Sequence, residues 1–276
     1  MSLRVKISIN NFINKTYTNK DGVVFPTVPN NNKKLVSEFL NNFYKAYKTL
    51  FTDKHDAERI FISALEKVTF VRLDDKDKNL HPLKGVYDKM QKTCQGRRLD
   101  GGRTYIGDDF VAVVDMDYNL LSNEEAMQTL VHEFVHVMTI REKDDDGTKK
   151  LVLGVQTPSE KNEIMTALNE GLTEIIAKQI YQKMYNKPVK HTDRYGFYQM
   201  CANRLIDLLG DRNQLIEDYL VDADLFNDRL KKQENEKNEN MLDYIKSLKI
   251  DDIKNDPKMS KNLQTFKFGK QDNYTI

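Results

Sequence analysis

The segment T-L-V-H-E-F-V-H-V-M-T, Thr129 to Thr139, sets two histidines four residues apart around a glutamate in a run that is otherwise almost wholly apolar. On a helix, positions four apart lie one above the other, so His132 and His136 can aim two imidazoles at one point. Glu133 stands about 60–100° around the axis from them, which puts its carboxylate beside that point. Two neutral nitrogen ligands and an adjacent carboxylate form the H-E-x-x-H arrangement, suited to zinc and to a general base for a water that the metal activates. Met127, Leu130, Phe134, Val137 and Met138 fall on the other side of the same helix, and burying two unpartnered histidines opposite such a stripe would be costly. With five histidines in the chain, the pattern arises by chance about once in a hundred such sequences, so a further ligand is needed.

That ligand is sought in N-E-G-L-T-E, residues 169–174, within the helical segment Ala167 to Tyr181. Glu170 and Glu174 are again four apart, and Leu168, Leu172, Ile175 and Ile176 gather on the opposite face. One carboxylate can serve the metal while the other orients a ligand histidine. Taken alone, the pair is equally an exposed helix face bearing two glutamates.

These two segments, in this order, resemble the gluzincins, the thermolysin-like zinc metallopeptidases, whose pattern is H-E-x-x-H followed by N-E-x-x-[S/T]-[D/E]. The resemblance covers Ser122 to about Tyr181. It implies His132, His136 and Glu170 as zinc ligands, Glu133 as the catalytic carboxylate, and Asn169 and Glu174 as partners that hydrogen-bond the two ligand histidines. It also implies an oxyanion donor from the C-terminal half, for which H-T-D-R-Y-G-F-Y offers His191, Tyr195 and Tyr198; Tyr195, at the start of the next helix, is favoured. An edge strand before the zinc helix would bind substrate in extended form, and F-V-A-V-V, Phe110 to Val114, is placed for that or for an ordinary interior position. The gap between His136 and Glu170 is wider than in thermolysin.

The elements that must position these residues follow from periodicity. Residues 1–32 read as a strand-and-loop opening segment, and Lys34 to about Leu50 and Asp53 to Leu65 as amphipathic helices. Val68 to Leu73 alternates like a strand, and Thr104 to Asp117 reads as one or two more. Ser122 and Glu125 have capping-box spacing at the start of the zinc helix. R-E-K-D-D-D-G-T-K-K reads as a charged, solvated loop without the alternation of a calcium loop, and L-V-L-G-V as a short strand. Thr192 or Asp193 caps a helix running to Gly210, and further helices follow, including a polar one around Lys232 to Leu248. The expected fold is α+β, mainly α: a zincin-like metallopeptidase with an N-terminal part (1–142) carrying a small sheet and the zinc helix. A helical C-terminal part (143–276) supplies the third ligand across a peptide-binding cleft.

Composition excludes more than it selects. Forty-three basic and 42 acidic residues nearly cancel, so no global field draws the chain to nucleic acid. No run approaches the ~18 apolar residues that span a bilayer. No secretion signal stands at the start, which points to the cytoplasm, although a chain trimmed from a secreted precursor would look the same. Cys94 and Cys201 lack C-x-x-C spacing and read as reduced structural residues; His55 and His81 have no partner at metal spacing. The leading expectation is a zinc peptidase acting on peptide or protein. Its rivals are a zincin-fold module that binds metal and a partner protein without cleaving, and a helical interaction protein that binds no metal.

Overall fold

The first element is a helix, not the strand and loop expected of residues 1–32. Val5, Ile7 and Ile9 alternate like a strand, but Val5, Ile9 and Phe12 share one face of a helix, and Phe12 decides between the two periods. In α1 (Leu3–Asn14) those three residues are buried while Ile7 is left half-exposed, and the Val5 N–H donates to Ser2 Oγ at 3.3 Å as an N-cap. Strands follow only afterwards, as the antiparallel pair β1 (Thr16–Thr18) and β2 (Val24–Pro26). The computed structural model describes residues 1–18, 22, 24–71, 103–106, 111–114, 124–145, 148–155, 163–187, 196–209, 211–232, 243 and 246. Over these the protein is mainly helical with small sheets, an α+β arrangement.

The amphipathic segments form α2 (Lys33–Tyr47) and α3 (Lys54–Lys67), whose buried faces carry Phe39, Phe43, Tyr44, Tyr47, Ile60 and Phe61. A three-stranded sheet comes next, from β3 (Val68–Val71), β4 (Arg103–Ile106) and β5 (Val111–Val114). Its order is β3-β5-β4, with β5 parallel to β3 and antiparallel to β4. So β5 is the interior strand, and of the two positions open to Phe110–Val114 the edge is ruled out.

The zinc-type motif lies on α4 (Glu124–Met138), and N-E-G-L-T-E lies on α5 (Glu163–Tyr185). Between them the charged loop expected of residues 141–150 is instead a hairpin, β6 (Ile140–Asp145) paired with β7 (Thr148–Leu153) from Ile140↔Leu153 to Asp145↔Thr148. The Asp-Gly pair at 146–147 is a strong hairpin signal in sequence, masked here by the charges on either side of it. The division expected between 142 and 143 falls inside β6, and one hydrophobic core runs from Val5 to Leu230 across it. Helices α6 (Gly196–Leu209), α7 (Arg212–Val221) and α8 (Ala223–Lys232) are the last elements among the described residues.

Neither α4 nor α5 is the half-solvated amphipathic helix its apolar stripe suggests. Every residue from Leu130 to Thr139 is buried, and α5 buries Asn169, Thr173 and Glu174 along with its leucines and isoleucines. The two polar stripes face each other, so each satisfies groups on the other that would otherwise be buried alone. Gly171 lets α6 close on α5: a Cβ there would stand 2.0 Å from the Tyr198 carbonyl oxygen. That close approach explains a glycine in mid-helix, where it costs about 0.5–1 kcal/mol relative to alanine.

Candidate metal centre

Phe134 sets the rotation of α4. It lies about 180° around the helix from the mean direction of His132 and His136, at 3.6 residues per turn. Its ring meets Phe43 edge-on at 4.8 Å and Phe39 at 5.7 Å, with Phe61 at 6.5 Å. Anchoring this aromatic against α2 and α3 therefore turns both imidazoles toward α5.

There the three expected ligands converge. His132 Nε2 is 3.2 Å from His136 Nε2 and 3.3 Å from Glu170 Oε2, and His136 Nε2 is 3.4 Å from Glu170 Oε1. Ligands at tetrahedral corners about 2.0–2.1 Å from a zinc ion stand about 3.3 Å apart. The three separations are of that size, with Glu170 presenting one oxygen to each histidine. His132 and His136 are 2% and 6% exposed, whereas the Glu170 side chain is 25% exposed, so the triad opens to solvent on the Glu170 side. Glu133 is buried beside His132, near enough for its charge to act on that imidazole.

Each histidine has a partner for its other nitrogen. Glu174 Oε2 accepts from His132 Nδ1 at 2.8 Å, as expected. Glu174 Oε1 faces Lys178 Nζ at 3.5 Å one turn on, and that ammonium also donates to Gln199 Oε1 at 2.9 Å. Asn169 is different: it makes no direct hydrogen bond to a histidine. Its Oδ1 accepts from the Val155 N–H at 3.2 Å and from the Tyr219 hydroxyl at 2.9 Å. The group at His136 Nδ1 is Thr173 Oγ1, at 3.4 Å, which lies 3.0 Å from the Tyr219 hydroxyl. Asn169 is one turn of α5 before Thr173, and the β7 turn claims its amide oxygen.

With both Nδ1 atoms engaged, two Nε2 lone pairs face each other at 3.2 Å, an arrangement that needs a cation or a proton between them. Burial opposes charge on His132, but hydrogen bonds to Glu170 and Glu174, with the charges of Glu170 and Glu133, raise its pKa to about 10. Burial also works against ionised Glu170, yet His136 and His132 hold its carboxyl well below the usual carboxylate range. A dication held there would meet the same need. Burial pushes the Tyr219 phenol well above its ordinary value, so it stays a neutral donor.

Thr173, Lys178 and Tyr219 join the site from outside the expected set. Thr173 stands inside N-E-G-L-T-E on the same face as Asn169 and Glu170, and helical spacing alone flags it; nothing local flags Tyr219. Tyr195, His191, His81, Cys94, the Ser122 cap, the Thr192 or Asp193 cap and most of the polar segment after Lys232 lie outside the described residues. Cys201 is buried with a free thiol, and His55 is exposed. Among the described residues, His132, His136 and Glu170 form the group able to hold a metal ion, and no helix is long and apolar enough to cross a membrane. No family model matches the chain, and neither a curated protein nor a solved structure matches it.

Proposed function

We propose that this chain is a zinc-dependent peptidase of zincin-like fold, hydrolysing peptide bonds at the His132–His136–Glu170 site. The observation that carries the reading is that two Nε2 atoms 3.2 Å apart each meet an oxygen of one carboxylate, Glu170, at 3.3 and 3.4 Å, on two buried helices. The donor set, two imidazoles and a carboxylate with an open fourth side, is that of a catalytic rather than a structural zinc.

Zinc, when bound, supplies a Lewis acid that polarises a carbonyl and lowers the pKa of water. Glu133 is the proton carrier: its carboxylate takes a proton from the attacking water and delivers it to the leaving nitrogen. A site that only held metal would have no use for this buried carboxylate, which favours catalysis over a binding module. Tyr195 immediately precedes α6 and is proposed to donate to the developing oxyanion. With β5 interior, an extended peptide would add to one of the two edges of this sheet among the described residues, β3 or β4.

Elemental analysis tests the metal first. We expect one zinc per chain, lost in His132→Ala; a wild type that takes up no zinc on reconstitution would refute the proposal. Digestion of a peptide library then tests the chemistry. Glu133→Gln is expected to keep its zinc and lose about 10²–10⁴ of the turnover, and undiminished turnover would remove Glu133 from the mechanism. Glu170→Ala is expected to weaken zinc binding far more than Glu174→Ala; equal losses would place the third ligand elsewhere.

A further inference from the structure

The hydroxyl of Tyr219 plays no part in the reaction described above, yet it is fully enclosed among polar groups of α5. We infer that Tyr219 is a positioning residue for His136, acting through Thr173; the inference rests on the reading of His136 as a metal ligand.

The direction of every hydrogen bond in the connection is set from one end. A backbone N–H only donates, so Val155 N at 3.2 Å requires the Asn169 amide to present its oxygen there. The Tyr219 hydroxyl, 2.9 Å from the same oxygen, must then donate its proton to it, because two acceptors at that distance would repel. Its proton spent, the phenol oxygen can only accept from Thr173 Oγ1 at 3.0 Å. Thr173 in turn has only lone pairs left for His136 Nδ1, at 3.4 Å, so His136 is the donor. The neighbouring Thr139 hydroxyl donates to the His136 carbonyl at 2.8 Å and accepts from Gly154 N at 3.0 Å, so its proton does not reverse the order. The result places hydrogen on Nδ1 of His136 and leaves the Nε2 lone pair aimed at His132 and Glu170.

The far end of this connection is held by the β7 turn. Gly154 has φ +52°, and a Cβ on it would stand 1.8 Å from Asn169 Oδ1 and 2.8 Å from the Tyr219 hydroxyl. A backbone brought that close fixes the oxygen on which the whole direction depends. Tyr219 itself is 1% exposed, with its ring edge-on to Phe226 at 6.2 Å, so the phenol is held as well as bonded.

The test uses the full chain loaded with zinc, with affinity read by competition against a chromophoric chelator. The His136 Nδ1 proton is followed by NMR. Tyr219→Phe keeps the ring and removes the hydroxyl; it is expected to weaken zinc about tenfold, to shift the His136 Nδ1 proton upfield and to speed its exchange with water, while the His132 Nδ1 proton stays unchanged. Thr173→Val is expected to lose about tenfold or more and Thr173→Ser to restore binding. The double variant Thr173→Val with Tyr219→Phe should bind as Thr173→Val does, because the phenol acts only through the threonine. Asn169→Ala, which frees the phenol to donate to Thr173, should disturb the same proton and serves if Tyr219→Phe does not fold. Additive losses in the double variant, or an unaltered His136 proton in Tyr219→Phe and Asn169→Ala, would overturn the inference while leaving the zinc site intact. A wild type that binds no zinc would overturn both.

Discussion

His132 and His136 leave the same helix toward the same point, but they are held by different chemistry. His132 donates to a carboxylate, Glu174, whose second oxygen faces Lys178; His136 meets a neutral hydroxyl, Thr173, backed by Tyr219, Asn169 and the turn at Gly154. Charge explains the asymmetry. Glu133, Glu170 and Glu174 already surround the pocket, and a further carboxylate at His136 would repel them in a setting where like charges interact strongly. A chain of neutral groups orients an imidazole without adding charge. It needs more residues to do so, each with its proton committed, and it therefore recruits a helix from outside the motif.

The largest effect is expected from Phe134→Ala, which strikes both sides at once. It should cost about 3–5 kcal/mol in denaturant unfolding and loosen zinc, since the ring that turns α4 toward α5 is gone. A variant that unfolds like wild type would mean α4 is oriented by other contacts. Next is Glu174→Ala, expected to weaken zinc by up to about a hundredfold, against about tenfold for Glu174→Gln, which keeps an acceptor and loses the charge. If both variants bind alike, charge is not what distinguishes the His132 side. Gly154→Ala should cost about 1–2 kcal/mol for its left-handed backbone alone, and more as Asn169 is displaced. In that variant NMR should find the His136 Nδ1 proton disturbed and the His132 Nδ1 proton unmoved; disturbance of both would erase the comparison. The smallest change is Lys178→Met, a partly buried contact at 3.5 Å, for which less than about 1 kcal/mol is expected in thermal unfolding, shrinking further at high salt.

The same division, short range against long range, separates what was legible in the chain from what was not. Helices α2, α3, α4 and α5 were readable because several apolar side chains repeat at helical spacing within each of them. Residues 1–14 satisfy two periods at once, and only Phe12, at the end of the run, breaks the tie in favour of a helix. The β6–β7 hairpin is written in charged residues, and charge is a poor guide to strand pairing where backbone hydrogen bonds carry the ladder. Phe110–Val114 has the composition of any strand, and whether a strand is interior or at an edge depends on neighbours that a local window does not contain.

At the site the contrast is sharper. The chain by itself determined that His132 and His136 share a helix face with Glu133 beside them and Phe134 opposite, and that Glu170 and Glu174 share another, because 3.6 residues per turn is a local property. Only the tertiary structure decided that the two polar faces are buried against each other, with Glu170 oxygens 3.3 and 3.4 Å from the two imidazoles, since that depends on how closely α4 and α5 approach. It also decided that Asn169 turns to Val155 and Tyr219 rather than to a histidine. A hydrogen bond goes to whichever donor lies within about 3 Å, and those donors come from a turn and a helix distant along the chain.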